Sequence, residues 1–89
     1  MEINFTTQIW QEGKMYVAYC PELDVSSCGK TIEGARKNLR EAVEGFLEAA
    51  KSMGTLKEIL RESGFIKEGQ KKWKAPEWVS LEREKALIP

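Results

Sequence analysis

Histidine is missing altogether from this 89-residue chain, aspartate occurs once, at Asp24, and cysteine twice, at Cys20 and Cys28. Each scarcity removes a class of chemistry. Without an imidazole, Ser26, Ser27 and the thiols lack the usual general base that activates a nucleophile, leaving only a Ser–Lys pair with Lys30 to consider against ordinary strand serines. The two cysteines fit no Cys-x-x-Cys spacing and have no histidine to complete a zinc site, so two reduced, mostly buried thiols are expected. A two-metal hydrolytic centre needs several carboxylates converging on its ions, usually from strands. Only Glu22 and Asp24 lie close together, while Glu33, Glu41, Glu44 and Glu48 alternate with Arg and Lys as on a solvated helix face. No catalytic residue, metal ligand or cofactor-binding residue is therefore expected.

Net charge is lacking too: fourteen basic side chains balance fourteen acidic ones. No whole-molecule field exists to attract a phosphate backbone or an anionic membrane, so the default partner is another protein. No apolar run approaches the ~18 residues of a membrane span, and Met1–Phe5 lacks the basic and apolar regions of a signal peptide. A cytoplasmic protein is the expectation. With 42% apolar residues, the chain holds enough for one core and too little for two, so residues 1–89 form one domain.

What is present is organised around Pro21–Met53. Thr31 is placed to cap a helix, Glu33 sits near its positive end, and Gly54 supplies a left-handed stop. Between these ends Ile32, Ala35, Leu39, Ala42, Val43, Phe46, Leu47, Ala50 and Met53 recur at steps of three and four. That spacing makes one apolar stripe on a charged helix. Gly29-Lys30-Thr31 lacks the upstream glycine of a phosphate-binding loop and reads as a turn followed by the cap.

The ordered run Tyr16-Val17-Ala18-Tyr19-Cys20-Pro21-Glu22-Leu23-Asp24-Val25, then Gly29-Lys30-Thr31-Ile32-Glu33, then Asn38-Leu39-Arg40-Glu41-Ala42-Val43-Glu44, resembles the HicB-type antitoxin family. The resemblance covers about residues 3–50. It implies a partial ribonuclease H-like α+β fold and an antitoxin that binds and masks a small ribonuclease toxin of double-stranded-RNA-binding-domain type. Many members of that family add a ribbon-helix-helix or helix-turn-helix module for operator DNA. The residues after Gly54 carry no recognition-helix pattern, so nucleic-acid binding by this chain alone is not expected. The reading from another class is a free-standing oligomeric scaffold with no toxin partner.

Residues 2–10 alternate as one half-buried strand, with Ile3, Phe5 and Ile9 on one side. Gln11-Glu12-Gly13 reads as a three-residue hairpin loop, because a two-residue turn would ask Glu12 for a positive φ. That loop sets Trp10 opposite Lys14 and Ile9 opposite Met15. Ile3, Phe5, Ile9, Met15, Val17 and Tyr19 are then expected under the helix, and Trp10, Tyr16, Ala18 and Cys20 on the other face. Pro21 ends the second strand, and Val25–Cys28 forms a third.

Thr55-Leu56-Lys57-Glu58 reads as a capping box opening a short second helix, which Gly64 ends. The loop 67–72 should be exposed, and Trp78-Val79-Ser80-Leu81 is good strand material. The expected architecture is α+β: a three-stranded antiparallel sheet, one long helix across a face, a short second helix and a late C-terminal strand. Lys71-Lys72-Trp73-Lys74 with Trp78 has the composition of a base-stacking platform, but it is short and flanked by Glu77, Glu82 and Glu84. The tryptophans read better as core or interface anchors. Trp10, Tyr16, Trp73 and Trp78 are accordingly the candidate partner-binding residues, for a protein partner or for self-association into a homo-oligomer.

Overall fold

Eight elements succeed one another in the computed structural model, which describes residues 1–89. They are β1 (Glu2–Ile3), β2 (Gln8–Glu12), β3 (Met15–Cys20), β4 (Val25–Gly29), α1 (Ile32–Ser52), α2 (Leu56–Glu62), β5 (Ile66–Glu68) and β6 (Lys72–Lys74). The fold is α+β with two three-stranded sheets, ordered β2-β3-β4 and β1-β6-β5. The first is antiparallel throughout; in the second, β1 runs parallel to β6.

Helix α1 begins and ends as its residues dictate. The Thr31 hydroxyl accepts from the Gly34 amide at 2.9 Å. At the other end Gly54 adopts φ +75°, its amide bonding Lys51 O at 3.1 Å and the Thr55 amide bonding Ala50 O at 2.9 Å. These paired bonds satisfy carbonyls that the helix leaves free. Helix α2 stops the same way, with Gly64 at φ +90° and amide bonds from Gly64 to Arg61 O and Phe65 to Leu60 O. Its start differs from the capping box expected. The Thr55 hydroxyl turns back to donate to Ala50 O at 3.4 Å and gives no side-chain cap to α2.

The hairpin departs most from the sequence reading. The turn is the two-residue Gly13-Lys14 in place of the three-residue loop over 11–13, although Gly13 does take the left-handed position, with φ +60°. A glycine in the first central position is what a two-residue hairpin turn accepts without strain. Glu12 now pairs with Met15, Trp10 with Val17 and Ile9 with Ala18. The slip from the expected register is three residues, an odd number, so it exchanges the faces of β3. Tyr16, Ala18 and Cys20 therefore lie under the helix, while Met15, Val17 and Tyr19 join Trp10 on the opposite face.

The expected strand over residues 2–10 is likewise two strands in two sheets. Residues 4–7 cross between the sheets, and Ile3 registers with Trp73. The late strand is β6, not 78–81, because Trp73 is the residue that finds a core: it is buried together with Leu60 and Phe65.

Ala18, Cys20, Leu23, Ala35, Leu39, Val43, Leu60, Phe65 and Trp73 make one core cluster, with Ile3, Phe5, Ile9, Tyr16 and Phe46 packed around it. Small residues bring the layers together. A Cβ on Gly29 would stand 2.6 Å from the Ala35 amide nitrogen and 2.8 Å from the Gly34 carbonyl carbon, so α1 rests directly on the backbone of β4.

Two glycines should respond in opposite directions when changed to alanine. Gly29→Ala forces the helix off the sheet and should cost ~1–3 kcal/mol or more. At Gly45, inside α1, an added Cβ meets nothing within 4 Å; Gly45→Ala should stabilise by ~0.5–1 kcal/mol through helix propensity. Urea titration of both variants checks the signs.

Candidate interaction face and hairpin base

The three-stranded sheet has one face under α1 and one with no element over it. By the register, the open face carries Gln8, Trp10 and Glu12 from β2, Met15, Val17 and Tyr19 from β3, and Ser26 and Cys28 from β4. At its centre the Trp10 and Tyr19 rings meet edge to face, centroids 6.3 Å apart and planes at 67°. Trp10 keeps 41% of its surface exposed, and its indole N–H donates to Glu12 Oε1 at 2.8 Å. The Tyr19 hydroxyl donates to Asp24 Oδ1 at 2.8 Å. That bond, with lesser help from desolvation and the Asp24 charge, holds the phenol protonated above its ordinary range. Asp24 itself takes φ +55° at the corner between β3 and β4. The two rings are thus braced at their polar ends and present their apolar bodies outward, as anchors at protein interfaces do.

Next to this face, Glu22 gathers three segments. Its Oε1 accepts from the Thr6 amide at 2.9 Å and lies 3.5 Å from the Cys20 thiol; its Oε2 accepts from the Trp78 indole at 3.3 Å. The same indole N–H reaches Thr6 Oγ1 at 2.7 Å. Partial burial pushes the Glu22 pKa up, but the Thr6 hydroxyl and amide, with further donors behind them, outweigh it and set the carboxyl below its ordinary 4.5. Cys20 is the opposite case: desolvation dominates and lifts its thiol to about 11. Glu22 and Asp24 are thereby both occupied in structural hydrogen bonds, and no three His, Cys, Asp or Glu side chains converge to hold a metal ion.

Of the four candidate residues, Trp10 alone lies on the open face. Tyr16 is on the helix side of β3, packed against the core. Trp73 is fully buried, with Arg61 and Lys67 over its ring at 5.9 and 5.8 Å. Its ring is not available for stacking on a base, which dissolves the basic-aromatic platform at 71–74. The Trp73 indole nitrogen has no hydrogen-bond partner. Trp78 sits at the hairpin base beside Pro21, Glu22, Pro76 and Glu77. Sequence reasoning missed Tyr19 and the Glu22 junction. Gly13 carried the signal for Tyr19, since placing it first in a two-residue turn puts that ring beside Trp10. No helix is long and apolar enough to cross a membrane.

Cys28, expected to be buried, is exposed, whereas Cys20 is enclosed. Under native conditions a maleimide should modify Cys28 alone, with Cys20 reacting only on unfolding; mass spectrometry of the labelled protein distinguishes one addition from two. The lowered Glu22 pKa also has a sign. Its contribution to stability is complete above about 4.5, where the unfolded carboxyl is ionised, and is lost as pH falls through the lower folded value. The stability difference between wild type and Glu22→Gln should therefore be largest at neutral pH and shrink in acid, as denaturant midpoints across that range will show.

A scan of the chain against protein-family models finds no match, and searches of curated proteins and of solved structures find none either.

Proposed function

We propose that this chain is a HicB-like antitoxin, binding and masking a small ribonuclease toxin through protein–protein contact at the open face of β2-β3-β4. The carrying observation is the braced Trp10–Tyr19 pair at the centre of a sheet face that no element of the chain covers. Apolar patches with rigid aromatic anchors mark docking surfaces on soluble proteins. The resemblance over residues 3–50 supplies the class of partner. Charge neutrality agrees with a protein partner over a nucleic acid.

In this reading the mechanism is steric and non-covalent. The long helix stiffens the sheet from behind, the Glu12 and Asp24 bonds hold the two rings in place, and the toxin buries them. Little side-chain entropy is then lost on binding, because both aromatics are already fixed.

The test is co-purification with the product of an adjacent toxin-like reading frame, then titration of variants against the purified partner. Trp10→Ala and Tyr19→Ala should each weaken binding at least about tenfold, equivalent to 1.4 kcal/mol, with the thermal midpoint little changed. Tyr16→Ala should do the reverse, lowering stability and sparing affinity. Unchanged affinity in both open-face variants would overturn the assignment.

A further inference from the structure

The body of the domain ends at Trp78, and the last eleven residues do not rejoin it. Val79, Leu81, Leu87 and Ile88 are 98%, 76%, 91% and 95% exposed, and residues 75–89 form no helix or strand. The radius of gyration is 15.1 Å, against about 12 Å for a compact chain of this length, and the long axis reaches 45 Å. Where the arm departs is fixed. Pro76 packs on Gly64, and the Trp78 indole is bonded to Thr6 and Glu22. From there Val79–Ile88 contains no Gly, Pro, Asn or Asp, so apart from Ser80 the arm lacks the residues that favour a tight reversal.

The same molecule offers a matching surface. Strand β2 is the outer strand of its sheet. Because Glu12 and Met15 flank a two-residue turn, the hydrogen-bonded pairs of that ladder are Glu12–Met15, Trp10–Val17 and Gln8–Tyr19, and the main-chain groups of Ile9 and Gln11 point outward unpaired. The strand carries no Pro, Lys or bulge of the kind that guards a free edge. The opposite edge, β4, is partly closed by the Asn38 side chain, which donates to Cys28 O at 2.8 Å. In an extended arm, Val79 and Leu81 fall on one side and Ser80 and Glu82 on the other. Strand β2 sets Ile9 and Gln11 on the helix side and Gln8, Trp10 and Glu12 on the open face, so Val79 and Leu81 on the helix side would extend the apolar surface that begins at Ile9.

We infer that the C-terminal arm Val79–Ile88 exchanges between two copies of this chain, Val79–Leu81 adding as a fourth strand along the open β2 edge of the second copy. The exchange is reciprocal, so each copy gives one arm and receives one, which closes the assembly as a two-fold dimer. Size favours reciprocity. The arm extends ~33 Å, about twice the five-residue β2 edge, so Leu87 and Ile88 reach beyond the added strand and are buried on the second copy as well, and two such arms bury twice what one does. The arm lies at the edge, leaving the Trp10–Tyr19 face open, so this inference stands or falls independently of what that face binds.

Sedimentation velocity on the full chain under reducing conditions, over a concentration series, tests it. Wild type should be a dimer. Val79→Asp combined with Leu81→Asp alters only exposed residues outside the fold and should raise the dimer Kd at least about tenfold with the thermal unfolding of the body retained. Gln11→Pro, which removes an outward amide from β2, should do the same. Mixing the two variants leaves one intact arm on one intact edge, so the heterodimer should form more tightly than either variant's homodimer and more weakly than the wild-type dimer. A monomeric wild type overturns the inference, as does a dimer unaffected by the arm substitutions. A dimer sensitive to the arm but indifferent to Gln11→Pro in a folded protein would place the arm elsewhere and overturn the β2 assignment.

Discussion

Everything in this domain depends on how closely α1 can lie on the three-stranded sheet. Gly29 has no side chain where Ala35 and Gly34 cross it, and Ala18 and Ala35 are both wholly buried between helix and sheet. With backbones in near contact there, Leu39 and Val43 sink fully into the sheet, and van der Waals contact is made along the helix rather than at its tips. Ile32 and Met53, at the two ends of the stripe, stay largely exposed.

A single helix covers a single face, and the remaining chain solves a different problem from covering the second. Helix α2, Phe65 and the small β1-β6-β5 sheet extend the core past the end of the first sheet, with Trp73 as its largest fully buried side chain. The amino terminus is held by β6 and the carboxy-terminal region by Glu22, which bonds residues from β3, the 4–7 crossing and the tail. A carboxylate with several donors is stabilised in its ionised form, and the lowered pKa is the signature of that closure. The tail tryptophans divide their roles: Trp73 fills the core and Trp78 pins the tail to the hairpin base.

Asp24, Glu22 and Cys20 are engaged in holding the fold, while the face of β2-β3-β4 opposite α1 is left uncovered. Asp24 and Glu22 are committed to Tyr19 and Thr6, and Cys20 is a buried neutral thiol. What remains available is an aromatic pair on a bare sheet face, an unguarded strand edge and an apolar arm. Two rigid rings need little reordering to be buried, and an open edge offers main-chain hydrogen bonds that any extended segment can take up.

The sequence by itself determined α1, both of its ends, the Gly64 stop and the three antiparallel strands, because these rest on local physics: a capping hydroxyl, glycines that accept a positive φ, a 3.6-residue stripe and alternation at two. Only the tertiary structure decided the rest. Which face of β3 is buried turned on a choice of loop length around Gly13, and an odd slip there moved Tyr16 inward and Tyr19 outward without changing either residue's propensity. The break in residues 2–10 and the burial of Trp73 were equally closed to local reading, since β1 and β6 are neighbours separated by most of the chain. A parallel pairing at that distance leaves no periodic mark on either short strand; it exists because Ile3 and Trp73 find the same core once α1 and α2 have been packed.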